Sequence, residues 1–180
     1  ESGEKVDIEA MNAGALDYLV KGEINARMLE RSLRYALKLG DTLQELRRLA
    51  TRDQLTGLFN RREFERILQE QKTQAAGART EFSLVLVDID HFKRFNDEHG
   101  HLIGDQHGHP AGDEVLRELA RRLLGAVRGN DQVARIGGEE FAITMPGTPK
   151  AAALAVARRL AEAVRSRPVR IAEELELPVT

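Results

Sequence analysis

The 180 residues include no cysteine. That excludes disulfides, thiolate chemistry and cysteine-held zinc, and it is compatible with a reducing compartment. Charge of one sign is not in excess: the formal net charge is −2, so there is no general electrostatic case for binding nucleic acid. No apolar run approaches the roughly 18 residues needed to cross a bilayer. The first residues, Glu1-Ser2-Gly3-Glu4-Lys5, lack signal-peptide character. Together these absences lead to the expectation of a cytoplasmic protein without membrane or nucleic-acid partners. The length suits one full domain and part of another.

What is present centres on Arg135-Ile136-Gly137-Gly138-Glu139-Glu140-Phe141. The Gly-Gly pair lies between two apolar runs, Gln132–Ile136 and Phe141–Met145, a pattern that predicts a β-hairpin. The reasoning is that tight hairpin turns require positive φ, which glycine adopts at no steric cost. Two acids follow the turn directly. Taken alone they read as solvated acids on a surface hairpin. Upstream, however, Val85-Leu86-Val87-Asp88-Ile89-Asp90-His91-Phe92-Lys93 is an apolar strand ending in two more acids. Carboxylates about 4 Å apart repel by ~1–4 kcal/mol, depending on the local dielectric. A Mg²⁺ ion removes that repulsion and is typically held by one or two carboxylates plus substrate phosphates.

These stretches together resemble the GGDEF family, the diguanylate cyclases. The resemblance is carried by Asp53-Gln54-Leu55-Thr56-Gly57-Leu58-Phe59-Asn60-Arg61-Arg62, then Asp88–Asn96, then Arg128-Gly129-Asn130-Asp131, then Arg135–Phe141. It covers most of Asp53–Pro146, and the joint match is far more specific than any single piece. The implied fold is α+β, a ferredoxin-like nucleotidyl-cyclase palm, and the β-α-α-β-β-α order read from periodicity agrees with it.

The first forty residues read differently. Lys5–Asn12 is a short helical candidate ended by Gly14, Leu16–Val20 a strand, and Ile24–Leu39 a helix. Gly14–Lys21 resembles the end of a response-regulator receiver domain, with Lys21 matching the lysine that contacts the phosphoryl group there and Gly22 replacing the usual proline. The expectation is therefore a partial α/β receiver fragment over 1–40. It lacks the phosphoacceptor strand, and its intact form would take input from a histidine kinase. A helical linker over 41–56 and a GGDEF domain over 57–180 would follow. The bland alternative is a generic α/β remnant. Leu29, Ser32, Ala36, Leu39, Leu43, Leu46 and Ala50 recur at steps of three and four, a coiled-coil seam that would dimerise the chain. The alternative there is a single amphipathic helix packed on its own domain.

Within the catalytic stretch, Asn60-Arg61-Arg62-Glu63 looks like a capping box opening a helix to about Gln74, with Gln71–Thr80 a loop. Phe82–Asp88 reads as a strand, His91–Glu98 and Asp113 to about Val127 as helices, and Ala151–Val164 as an Ala-rich amphipathic helix. Glu174–Thr180 looks like the start of another strand. The family continues beyond it, so the domain is expected to be C-terminally truncated.

Asp97-Glu98-His99-Gly100-His101-Leu102-Ile103-Gly104 is followed at once by an imperfect copy, Asp105-Gln106-His107-Gly108-His109-Pro110-Ala111-Gly112. The family has one such block. Loop enlargement costs only about 0.6 kcal/mol per doubling of length, so folding should survive it. All 5 histidines fall in or beside this region. Their HGH…HGH spacing could hold Zn²⁺ or Ni²⁺, although the repeat by itself accounts for four of them.

The resemblance implies a chemistry: two GTP condense to cyclic di-GMP with release of two pyrophosphates. It assigns Mg²⁺ (or Mn²⁺) to Asp88, Glu139, Glu140 and the Ile89 carbonyl, and catalysis to Glu139 and Lys93. Guanine would be read by Asn96 with Asp113 or Asp105, and with His101 or His109 nearby. Asp113 is favoured because it heads the following helix. Arg128 and Asp131 match the family's inhibitory product site, with Arg159 added as a second arginine. As a bare pattern, R-x-x-D after a helix is ordinary. Each chain would hold one GTP, so the active site forms between two chains. The competing readings are a catalytically inactive domain that senses cyclic di-GMP through Arg128 and Asp131, and a dimerisation adaptor acting through Arg27–Thr51.

Overall fold

The computed structural model describes residues 9–15, 25–99, 110–165, 168–172 and 175–177. Two compact units separate at Ala50 and Thr51. In the first unit, residues 9–12 form a helical turn that Gly14 ends with φ +100°, and its amide donates to the Met11 carbonyl. Helix α1, Ala26–Thr51, follows. Asn25 Oδ1 accepts from the Met28 amide at 2.9 Å, which satisfies one of the donors left open at a helix start. Helix α1 buries none of its residues, and Leu29, Leu39, Leu43 and Leu46 are all exposed.

The receiver expectation is corrected here. The described residues before the second unit are helical, with no strand among them. Helix α1 runs without a break from inside the stretch assigned to a receiver through the stretch assigned to a linker. The physical reason is composition: Ala26–Thr51 is dominated by Leu and Arg, both good helix formers, and one Gly40 costs about 1 kcal/mol, too little to break it. The expected strand Leu16–Val20 and Lys21 lie outside the described residues. Among the described residues the lead-in is therefore helical and carries no element of an α/β fragment.

The second unit starts with a wide turn. The Asp53 amide donates to the Leu58 carbonyl at 2.8 Å, and Asp53 Oδ1 accepts from the Thr56 amide and from Thr56 Oγ1 at 2.9 and 2.6 Å. Gly57 takes φ +72°, a conformation that favours glycine. Helix α2, Arg61–Ala78, is capped by Asn60, whose Oδ1 accepts from the Glu63 amide at 2.9 Å. The Asn60 amide donates to the Thr51 carbonyl at 2.9 Å, and Glu63 pairs with Arg66 at 2.6 Å. The loop expected over Gln71–Thr80 is mostly helix, because Ala75, Ala76 and Ala78 outweigh Gly77, and Arg79 closes it in the left-handed region at φ 52°.

The main sheet has three antiparallel strands in the order β1-β3-β2: β1 Phe82–Asp88, β2 Gln132–Arg135 and β3 Glu140–Pro146. The central strand β3 buries Phe141 through Met145 continuously because both of its faces are covered. Phe141, Ile143 and Met145 face the larger core; Ala142 meets Phe64 and Ala134 on the other side. Helices α3 Phe92–His99, α4 Pro110–Ala126 and α5 Lys150–Arg165 complete the layer. Leu119, Leu123 and Leu160 join the larger core, each such burial contributing roughly 1.5–3 kcal/mol. Arg122 binds this layer together, donating to the Val164 and Pro168 carbonyls at 2.6 and 3.1 Å. A separate pair, β4 Val169–Ala172 and β5 Leu175–Leu177, lies outside the main sheet; β5 falls within the expected last strand, and β4 was not foreseen. This is the expected α+β palm. Among the described residues, no helix is long and apolar enough to cross a membrane.

Candidate active site

Strands β1 and β3 bring the two acidic stretches together. Asp88 and Glu140 are register partners on adjacent antiparallel strands, which places their Cα atoms roughly 4.5–5.5 Å apart. Both are exposed, while Ile89 is buried at 6% and anchors the strand end in the core. Glu139 sits in the loop immediately before Glu140. That loop is closed by the Ile136 and Gly137 amides, which donate to the Glu140 carbonyl at 2.9 and 3.3 Å.

The glycines serve a different purpose from the one expected. Neither Gly137 nor Gly138 takes positive φ; among the described glycines only Gly14, Gly57 and Gly147 do. Gly137 instead leaves room for the Glu140 carboxylate, since a Cβ there would lie 2.2 Å from Glu140 Oε2 and shift that side chain. Around Gly138 there is open space within 4 Å, so the turn's backbone is accessible.

Arg135 fixes the turn. Its Nε and Nη2 donate to the Gly138 carbonyl at 3.0 and 2.7 Å, and its Nη1 pairs with Asp53 Oδ1 at 3.2 Å. Burial pushes the Asp53 carboxyl upward, but the Thr56 hydrogen bonds and the Arg135 guanidinium together hold it below its ordinary value. Phe59 adds backbone bonds: its amide donates to the Val133 carbonyl at 3.3 Å, and its carbonyl accepts from the Arg135 amide at 2.9 Å. Sequence reasoning quoted Asp53 and Arg135 as motif residues without giving them a task. Their pairing spans 82 residues, and no local pattern signals it.

Between β1 and α3 the chain turns at His91, which adopts φ 59°. A non-glycine residue in the left-handed region is uncommon and tends to mark functional sites. The turn sends Phe92 into the core at 7% exposure and leaves Lys93 exposed in the first turn of α3. Further along α3, the Asn96 carboxamide packs on Gly112 of α4, where a Cβ would meet Asn96 Oδ1 at 2.1 Å. Asp113, the next residue, lies in the first turn of α4 with Arg117 at 3.9 Å. Asp105, His101 and His109 lie outside the described residues, as do the side chains on which an HGH…HGH metal site would depend.

On a separate corner, Arg128 and Asp131 share one turn: the Arg128 amide donates to Asp131 Oδ2 at 2.9 Å, and the Asp131 amide to the Arg128 carbonyl at 3.0 Å. The Arg128 side chain is exposed. Arg159 Nη2 donates to the Ala126 carbonyl at 2.7 Å, which holds this second arginine at the end of α4, near Arg128 in the chain.

Among the described residues, no group of three or more His, Asp or Glu side chains converges as a complete metal cage. The donor set nevertheless fits a hard cation that draws its remaining ligands from phosphate: Asp88 and Glu140 are carboxylates on facing strands, and Glu139 is adjacent. A cavity of about 250 Å³ opens beside Asp88 and Asp90, but its body is walled by Leu119, Leu123, Leu160 and Val164. That lining is apolar and does not suit a triphosphate.

Comparison with known proteins agrees with this geometry. The profile of the family described as "Diguanylate cyclase, GGDEF domain" matches residues 50–107 and 103–179. The probable diguanylate cyclase DgcC of Escherichia coli is 36% identical over 135 residues, covering 75% of this chain and 34% of that protein. The response regulator PleD of Caulobacter vibrioides is 38% identical over 177 residues, 94% of this chain and 37% of that protein. The chain spans about a third to two fifths of the length of the first curated relatives it matches. Among solved structures, the coiled coil and GGDEF domain of DgcB from Caulobacter crescentus superposes with TM-score 0.72 at 29% identity, over 86% of this chain and 78% of that one. That match reaches into the helical lead-in and identifies it as coiled-coil-like, in place of a receiver remnant. From Asp53 to beyond the hairpin, in profile, fold and the register of its acids, the chain belongs to the GGDEF family.

Proposed function

We propose that the chain is the catalytic module of a cytoplasmic diguanylate cyclase. The observation that carries this reading is the cross-strand pairing of Asp88 with Glu140 beside the Gly137–Glu139 turn. Asp88 and Glu139, with Glu140 and the Ile89 carbonyl, would hold Mg²⁺ or Mn²⁺, which when bound neutralises charge developing on the phosphates. Lys93 would add a cation at the same phosphates. Asn96 and Asp113 would orient the guanine. Holding the nucleotide at both ends aligns the reacting atoms, which is the larger part of such catalysis.

In this reading the 3′-hydroxyl of one GTP attacks the α-phosphorus of another. The new P–O bond forms as the α–β bridging bond breaks and pyrophosphate leaves, while Glu139 takes the hydroxyl proton. Repeating the step with the roles exchanged closes the ring, so two GTP yield one cyclic di-GMP and two pyrophosphates. Two chains must face each other for this, and the exposed leucines of α1 support a coiled-coil dimer that brings them together.

A second reading, a cyclic di-GMP sensor, is favoured by the Arg128–Asp131 turn with Arg159 held at the end of the same helix. Arginine forks suit phosphate and guanine edges. Two variants separate the readings when turnover and cyclic di-GMP affinity are both measured. Under the cyclase reading Glu139→Ala abolishes turnover and keeps product affinity, while Arg128→Ala keeps turnover and loses product inhibition. Turnover that survived Glu139→Ala would refute the metal and base assignment.

A further inference from the structure

The eight-residue repeat supplies two Gly-Asp pairs, Gly104-Asp105 and Gly112-Asp113, where the family pattern has one. One observation points to the second pair, and another marks one copy as surplus. The first is steric. A Cβ on Gly112 would lie 2.1 Å from Asn96 Oδ1, 3.0 Å from its Cγ and 3.2 Å from Phe92 Cζ. Asn96 is half-buried, and its Oδ1 is buried with no hydrogen-bond partner among the described residues, so a methyl on Gly112 would displace the carboxamide from this position. Gly112 lies inside α4, where alanine is the better helix former. The glycine is justified there by the approach of Asn96. The second observation is the family match, which comes as two segments, 50–107 and 103–179, overlapping within the repeat. One pass through the family pattern uses up the first copy and another starts before the second, so one block is surplus.

We infer that Gly112 is a positioning residue that seats the Asn96 carboxamide for guanine, and that the first copy, residues 97–104, is an insertion dispensable for that subsite. The inference rests on the cyclase reading for its ligand, but its steric part stands without it. An unpartnered buried acceptor beside the carboxylate of Asp113 suits the N1–H and N2–H₂ donors on the guanine edge. Adenine presents an acceptor at N1 and matches less well.

The test uses GTP and ATP analogues with an α,β-methylene bridge, titrated calorimetrically into the whole chain and its variants, with melting temperatures recorded in parallel. Gly112→Ala is expected to weaken the GTP analogue about tenfold or more and to erase its preference over the ATP analogue, as a site built around donor–acceptor pairing loses discrimination when a partner is displaced. Gly104→Ala, and excision of residues 97–104, are expected to leave affinity and preference as in the parent chain. Gly112→Ala lowers the melting temperature, and Asn96→Ala added to it restores melting without restoring guanine preference. The inference is overturned if Gly112→Ala binds and melts like the parent, or if Gly104→Ala is the variant that loses guanine. If the parent binds neither analogue, the cyclase reading fails, and the melting cycle between Asn96 and Gly112 still decides the steric claim.

Discussion

Arg135 spans from the carbonyl of Gly138, in its own turn, to the carboxylate of Asp53, 82 residues earlier in the chain. With side-chain exposures of 15% and 24%, the pair is shielded enough to be a structural joint between the wide turn after α1 and the acidic hairpin. Arg135→Lys keeps the charge but loses the planar fork that serves both acceptors. Chemical denaturation is expected to show a loss of about 1.5–3 kcal/mol, in line with one hydrogen bond to a charged group. An unchanged midpoint would mean that the joint carries no load.

Acid should reveal two paired carboxylates. Asp53 is held below its ordinary value, and Glu118 is lowered from 4.5 to about 2 by hydrogen bonds from Arg121 and Arg122 that outweigh its partial burial. A depressed folded-state pKa gives stability that is complete above the unfolded pKa and is lost as pH falls through the folded one. Stability should therefore decline from about pH 4.5 towards pH 2. Glu118→Gln should flatten that decline in pH-dependent denaturation, and an identical acid limb would contradict the pairing.

The two turn glycines should respond differently to alanine. At Gly137 the new methyl meets the Glu140 carboxylate; at Gly138 it meets open space. Because the Glu140 side chain is exposed, it can move aside, so Gly137→Ala should melt near the parent temperature yet lose most of its Mg²⁺-dependent turnover. Gly138→Ala should melt like the parent. Equal turnover in Gly137→Ala and the parent would show that the position of Glu140 is immaterial.

Helix α1 buries none of its residues, and Leu43 and Leu46 are 41% and 56% exposed. Sedimentation equilibrium of Leu43→Glu/Leu46→Glu is expected to give a monomer where the parent gives a dimer, with turnover falling in proportion. A parent that sediments as a monomer at catalytic concentrations would remove the seam from the account.

Much of the palm was legible before any coordinates. Phe82–Asp88 was read to the residue from its apolar run, and the hairpin came from two β-rich stretches around Gly-Gly. What misled was local. Turn chemistry predicts positive φ at Gly137 and Gly138, whereas Gly137 makes room for the Glu140 carboxylate three residues on, a side-chain placement that composition does not encode. The receiver reading rested on Gly14–Lys21, a short pattern, against a helix whose propensity is sustained over 26 residues. The pairings Asp53–Arg135 and Asn96–Gly112 join distant segments, and periodicity carries no information about such contacts. The candidate metal and guanine residues come from the family resemblance, and their assignment to those tasks belongs to the proposed function.

The most direct measurement is to incubate the chain with GTP and Mg²⁺ and to resolve the nucleotides by chromatography, with Asp88→Asn as the control. The account predicts cyclic di-GMP and pyrophosphate in a one-to-two ratio from the parent and neither from Asp88→Asn. GTP left intact by a chain shown to be folded and dimeric would contradict the cyclase reading and leave the sensor in its place.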